Sequence, residues 1–194
     1  MHLLLVGLSH RTAPVELRER LDCQGRLEVC LRALAGRGST DEAVVLSTCN
    51  RAELYAACDD VSSSRADLVK FLGDFHEIDR ATLAAHVYDS ADLDVVRHLF
   101  RVAAGLDSLI VGEPQILGQV KDAHAVAAEI ETTGPVLNRL FHSSFAVGNP
   151  RAPARRRFLE TVCSPSSATH TGKLRASRRS NSSLITPRRR RHSA

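Results

Sequence analysis

The chain has no Trp, and its two Tyr and six Phe make up 4% of the residues. So few rings exclude an aromatic stacking platform for single-stranded nucleic acid. None of the five cysteines, Cys23, Cys30, Cys49, Cys58 and Cys163, forms a Cys-x-x-Cys pair. A zinc knuckle or thioredoxin-like pair is therefore not supported, and no His/Cys/acid group has the spacing of a metal site, so no metal is expected. There is no Gly-x-Gly-x-x-Gly segment, since Gly105, Gly112 and Gly118 stand too far apart, and no Walker A segment. The apolar run Leu3 to Leu8 stops too soon for a signal peptide and has no Lys or Arg before it. No run approaches the roughly 18 apolar residues that cross a membrane. These absences point to a soluble cytoplasmic protein with reduced thiols and no membrane partner.

What is present divides into two unlike segments. The formal net charge is +4 over 194 residues, yet residues 151–194 hold twelve Lys/Arg against one acid, Glu160. Residues 1–150 hold fourteen against twenty-one, so the folded part is acidic and nucleic-acid binding cannot be argued from its charge.

The acidic part reads as alternating strands and helices. Leu3 to Leu8 is a near-continuous apolar run, a buried strand. Ser9 to Pro14 is a loop, with Pro14 in the first turn of a short helix to Leu21. Arg26 to Leu34 carries Leu27, Cys30, Leu31 and Leu34 at helical spacing. Glu42 to Ser47 and Arg51 to Cys58 are two strands with a short connection, which predicts a hairpin. In the second, Ala52, Leu54 and Ala56 alternate with Glu53 and Tyr55. A helix follows with Leu68, Phe71, Leu72 and Phe75 on one face, Ser64 as N-cap and Asp67 completing a loose capping box. His86 to Tyr88 is a short strand. The order strand, helix, strand, strand, helix, strand is that of a split βαβ, ferredoxin-like α+β fold. Three more helices are expected over Ala91–Ala104, Gln115–Glu131 and Pro135–Val147. At Asn149-Pro150 the composition changes to Arg, Ser, Thr and Pro without apolar periodicity, which predicts a disordered tail.

The informative stretch is Ser47-Thr48-Cys49-Asn50-Arg51. A structural turn would more often use Gly, Pro, Asn or Asp, and only Asn50 fits that need. A cysteine after a strand is ordinarily a small buried hydrophobe. Here Arg51 favours the thiolate and the polar loop keeps the sulfur accessible, so Cys49 is a candidate nucleophile. His98, on the helix after the sheet, is either a solvated or structural histidine or an acid/base group near pH 7. Ser108, Glu113, Gln115 and Gln119 form a dense set of hydrogen-bonding groups in an apolar stretch, with Pro114 at a helix start. Glu113 suits an amine, and Arg51 suits a carboxylate bound bidentately.

Four segments carry a family resemblance: Val6 to Pro14, Leu46 to Glu53, His98 to Lys121 and Leu137 to Gly148. Together they resemble the N-terminal part of the glutamyl-tRNA reductases, which open the five-carbon route to tetrapyrroles (porphyrins). The resemblance covers residues 1–148 and implies a ferredoxin-like catalytic domain leading into a long spinal helix. It implies Cys49 as the nucleophile that forms a glutamyl thioester from glutamyl-tRNA, with NADPH supplying the hydride that releases glutamate-1-semialdehyde. His98 matches a histidine important for activity. Thr48, Asn50, Arg51, Ser108, Glu113, Pro114, Gln115 and Gln119 match substrate-binding positions. A homodimer and hand-over to the semialdehyde aminomutase follow from the same resemblance.

The resemblance ends after Gly148, without the family's NADPH-binding and dimerisation domains. The Arg/Ser/Pro/Ala bias beyond it is that of GC-rich coding sequence read out of frame. The expectation is a truncated or frameshifted product that keeps the thioester chemistry and lacks the hydride step. A second reading is a non-catalytic module that retains tRNA or a protein partner, with the Arg-rich tail adding phosphate contacts.

Overall fold

The computed structural model describes residues 1–108 and 115–162. Four strands, β1 His2–Ser9, β2 Glu42–Thr48, β3 Arg51–Cys58 and β4 Tyr88–Ala91, form one sheet in the order β2-β3-β1-β4. All neighbours are antiparallel. Strands β1 and β2 are separated by β3, which is the split βαβ topology that the element order predicts. The connections carry α1 Val15–Arg20, α2 Leu27–Ala35, α3 Val61–His76 and α4 Arg80–Ala84. After the sheet come α5 Leu93–Ala103, α6 Gln115–Glu129, α7 Pro135–Gly148 and α8 Pro153–Val162.

The sheet is covered on both sides. Helix α2 packs on β2 and α3 on β1 and β3; α5 packs on β1 and β4, and α7 on β2 and β3. Helix α6 lies against the edge strand β2 and touches α2, α5 and α7. That cover removes the exposed strand edge that would otherwise template aggregation. Two ties fix the layers. Arg37, just past α2, grips Asp67 on α3 with a bidentate pair at 2.6 and 2.9 Å. The buried Glu42 carboxylate accepts from the Val136 and Leu137 backbone N–H groups at 3.0 and 2.6 Å, satisfying the free donors at the start of α7 from inside the sheet. Among the described residues, no helix is long and apolar enough to cross a membrane.

Several boundaries differ from the sequence reading. Asp60, not Ser64, caps α3 by accepting from the Ser62 N–H at 2.9 Å. Ser64 lies inside the helix and donates to the Ser39 carbonyl at 2.7 Å. The last strand begins at Tyr88 rather than His86, because its extent is set by pairing with β1 from Gly7 opposite Tyr88 to Leu4 opposite Ala91. The segment after Gly148, expected without structure, forms α8 over Pro153–Val162. Pro153 opens it, a position that needs no N–H. Arg155 donates to the terminal carbonyls Gly148 O and Ala104 O, both at 3.1 Å, and Phe158 meets Phe100 edge-on at 5.7 Å. The rest of the expected disordered tail lies outside the described residues.

Candidate active site

The hairpin of β2 and β3 closes between Thr48 and Arg51, so Cys49 and Asn50 are its two turn residues. Neither has positive φ. Two-residue hairpins usually take turns with positive φ, so this one needs other support. The Thr48 hydroxyl provides it by accepting the N–H groups of Asn50 and Arg51, both at 3.2 Å. Arg18 of α1 adds a bond to the Cys49 carbonyl, and His10 N–H donates to Asn50 O at 2.9 Å. The result is a braced tip with an outward sulfur. Cys49 is exposed, whereas Cys23, Cys30 and Cys58 are buried.

Behind the tip lies a buried polar cluster. Strand alternation puts Arg51, Glu53 and Tyr55 on one face of β3. Tyr55 meets Phe141 of α7 edge-on at 5.5 Å, so this face is covered rather than solvated. All eight residues of β3 are buried and Glu53 is fully enclosed. Its carboxylate receives Arg51 Nη1 at 2.9 Å, the Tyr55 hydroxyl at 2.6 Å, His98 Nε2 at 2.8 Å and the Tyr88 hydroxyl. Burial alone would favour protonation, yet Arg51 and then His98 outweigh it and hold Glu53 well below the usual carboxylate range. The same contacts push the buried Tyr55 and Tyr88 hydroxyls up, with burial the largest cause. Gly7 stands opposite Glu53 in the β1–β3 register, and a Cβ there would lie 2.8 Å from Glu53 Cγ. The same Cβ would lie 2.7 Å from the Ala52 carbonyl oxygen, so a glycine here makes room for both the β3 backbone and the Glu53 side chain.

Arg51 links cluster and tip. It is 2% exposed, and its Nη2 donates to the Asp107 carbonyl at 2.6 Å. Burial opposes its charge, but Glu53 reverses the balance and its pKa is raised. The Asp107 carboxylate takes Arg11 and Arg101, each at 3.2 Å. His10 has an enclosed Nδ1 without a partner, and its pKa is lowered by burial first and then by Arg51, Arg11 and Arg18.

Of the residues singled out in the sequence, Thr48, Cys49, Asn50, Arg51, Ser108, Gln115 and Gln119 line one cleft of about 40 Å³. A wider groove of about 540 Å³ adjoins it, sharing Gln119 and bordered by Ser47. Glu113 and Pro114 lie outside the described residues. The structure does not bring His98 to the cleft: its Nε2 is held on Glu53, and its link to Arg51 runs through that carboxylate. Arg51, the candidate for bidentate capture of a substrate carboxylate, lines the cleft but is 2% exposed, with Nη1 on Glu53 and Nη2 on the Asp107 carbonyl. Sequence reasoning missed Glu53, Gly7, His10 and Arg18. The signal for Glu53 was a charged residue inside an otherwise apolar strand.

Comparisons with known proteins place the domain in a family. The family profile of the glutamyl-tRNAGlu reductase N-terminal domain matches residues 6–151. The chain is 49% identical over 148 residues to a glutamyl-tRNA reductase of Geobacter sulfurreducens, covering 76% of this chain and 34% of that protein. A glutamyl-tRNA reductase of Marinobacter nauticus is also 49% identical over 148 residues, with the same coverage. The solved structure of glutamyl-tRNA reductase from Methanopyrus kandleri superposes with a TM-score of 0.62 at 32% identity, over 80% of this chain and 34% of that one. The chain thus spans about a third of the length of the relatives it matches. On the profile match and these identities, the chain belongs to the glutamyl-tRNA reductase N-terminal domain family.

Proposed function

We propose that residues 1–148 form a catalytic domain that carries out the glutamyl-transfer half of glutamyl-tRNA reductase chemistry, with Cys49 as nucleophile. The observation that carries this reading is the placement of Cys49: among the described residues it is the one exposed cysteine, and it sits at the tip of a braced hairpin beside the cleft. The Cys49 thiolate attacks the ester carbonyl carbon of glutamyl-tRNA. The carbonyl re-forms as the C–O bond to the ribose breaks. The ribose oxygen takes up a proton, matching the one lost by the thiol, and a glutamyl thioester remains on Cys49.

The other residues take supporting roles. Thr48 fixes the turn and lines the cleft beside Cys49. Asn50, Ser108, Gln115 and Gln119 offer hydrogen bonds to the glutamyl group, and Glu113 and Pro114 are assigned to the same subsite on the resemblance. Arg51 lines the same cleft, where its guanidinium can favour the oxyanion that develops during attack. His98 holds Glu53, and through it Arg51, so it acts as a positioning group.

NADPH is the hydride source that the resemblance implies. Every neighbouring strand pair here is antiparallel, and the sequence has no Gly-rich fingerprint, so these residues do not fit a dinucleotide. Reduction of the thioester is therefore not a property of the described domain. A cytoplasmic location, a homodimer and hand-over of glutamate-1-semialdehyde to an aminomutase are further proposals that rest on the resemblance alone.

The test is loss of ester from labelled glutamyl-tRNA incubated with the chain in the absence of NADPH. Release should occur with the native chain and stop with Cys49→Ser. Equal release by the two chains would remove Cys49 from the reaction.

A further inference from the structure

Three side chains that play no part in the active-site account meet on the other side of Ser47. Cys23 lies in the link between α1 and α2, Cys30 on α2, and His76 at the last position of α3. Their two sulfurs and one ring nitrogen all lie within 4.8 Å of one another. They are 2%, 0% and 8% exposed. Cys23 Sγ is 3.5 Å from His76 Nε2. Sequence spacings of seven and forty-six residues concealed this group, and only the fold assembles it.

We propose that Cys23, Cys30 and His76 bind one Zn²⁺ ion. Two sulfurs and an imidazole are the ligand chemistry of a borderline-soft cation, whereas Ca²⁺ and Mg²⁺ require oxygen. In a tetrahedral zinc site, bond lengths of about 2.3 Å to sulfur and about 2.0–2.1 Å to nitrogen place the ligand atoms about 3.5–3.8 Å apart, within the observed separation. Two thiolates and a neutral imidazole balance the charge of Zn²⁺, so the loaded site is electrically neutral. Neutrality matters because a net charge is costly to bury.

The histidine supplies a separate indication. Among the described residues His76 Nδ1 is enclosed without a partner, and the polar contact of the ring is that of Nε2 with Cys23. A buried polar ring this poorly satisfied calls for an explanation, and a bound ion supplies one. The C-terminal end of α3 adds its negative dipole end, which also favours a cation. Binding exchanges the two thiol protons for the metal, and those protons leave to solvent.

The site has a structural connection to the hairpin. The Cys23 backbone N–H donates to Ser47 Oγ at 2.9 Å, and Ser47 Oγ donates to Asp22 Oδ1 at 2.8 Å. Ser47 precedes Thr48 and Cys49, so an ion here would brace the loop that flanks the active turn. The proposal does not depend on the reaction assigned to Cys49.

The experiment is a titration of the reduced, metal-free 194-residue chain with Co²⁺ as a spectroscopic probe, followed by displacement with Zn²⁺. The expected result is one ion per chain, with a thiolate-to-cobalt charge-transfer band and the visible bands of tetrahedral cobalt, both lost on adding Zn²⁺. Cys23→Ser, Cys30→Ser and His76→Gln should each weaken binding by more than the roughly 10–100-fold that loss of an outer-shell partner costs. Cys49→Ser and Cys58→Ser should leave the bands in place. Absence of a charge-transfer band in the native chain, its persistence in Cys23→Ser and Cys30→Ser, or its loss in Cys49→Ser overturns the proposal. If the cluster variants fail to fold, zinc-edge X-ray absorption on the native chain decides. Two sulfurs at about 2.3 Å support the site, and a shell of oxygen and nitrogen alone refutes it.

Discussion

The hairpin tip and the cluster behind it are two residues apart in sequence and opposite in character. Cys49 is exposed, and what fixes it is the backbone of its own turn, held by Thr48, Arg18 and His10. Arg51 and Glu53 are nearly or wholly enclosed, and their charges are met by each other, two tyrosines, His98 and the Asp107 carbonyl. The difference separates two tasks. The tip presents the proposed nucleophile on an exposed side chain, and the cluster behind it is built into the fold. Replacing a residue at the tip should change chemistry without changing stability, and replacing one in the cluster should do both.

The largest expected effect is Glu53→Ala. It leaves the Arg51 guanidinium buried without its carboxylate, and breaking such a pair from one side costs about 3–5 kcal/mol. Urea unfolding of the two chains measures it. A change inside the roughly 0.5 kcal/mol scatter of ordinary surface substitutions would mean that the cluster does not hold the fold.

Next comes Gly7→Ala. The new Cβ would stand 2.7 Å from the Ala52 carbonyl and 2.8 Å from Glu53 Cγ. Overpacking of this kind costs about 1–3 kcal/mol. Because the two sites touch, the double variant Gly7→Ala, Glu53→Ala should lose less than the sum of the single losses. Strict additivity would show that the glycine is needed for backbone spacing alone.

The pH dependence gives a third, smaller handle. Glu53 is held below its ordinary value of 4.5 in the folded chain. Its stabilisation is therefore complete above 4.5. As pH falls below that value, the unfolded chain takes up a proton that the folded chain refuses, so stability drops by up to about 1.4 kcal/mol per pH unit from this group. Native chain and Glu53→Gln compared by acid unfolding should differ in slope below pH 4.5 and run parallel above it. Parallel curves throughout would contradict the role given to the carboxylate.

Much of this architecture was legible in the sequence. The apolar run of β1, the hairpin and the helical faces of α3, α5, α6 and α7 declare themselves through period and turn position, because each buries a stripe of its own residues. Helix α4 does not: it has five residues, of which only Leu83 is buried. Strand β4 contains Asp89 and Ser90, and only its pairing with β1 makes it a strand. In the site, Cys49 stood out because a cysteine in a short polar turn is a local feature. Glu53 and the group Cys23, Cys30 and His76 did not stand out. Their meaning depends on α7 covering β3 and α5 bringing His98 to Glu53, and on α2 and α3 meeting a loop, contacts that no local pattern encodes.

The smallest expected change in stability is that of Cys49→Ser, within about 0.5 kcal/mol of the native chain by urea unfolding, since the side chain is exposed. A larger loss would mean that the tip shares the structural task of the cluster.

The most direct measurement is peptide mass spectrometry of the native chain after incubation with glutamyl-tRNA without NADPH, quenched in acid. The account predicts a single glutamyl adduct, on the peptide that contains Cys49, and none on Cys49→Ser. A folded native chain that carries no adduct, or carries it on Cys23, Cys30 or Cys58 instead, would contradict it.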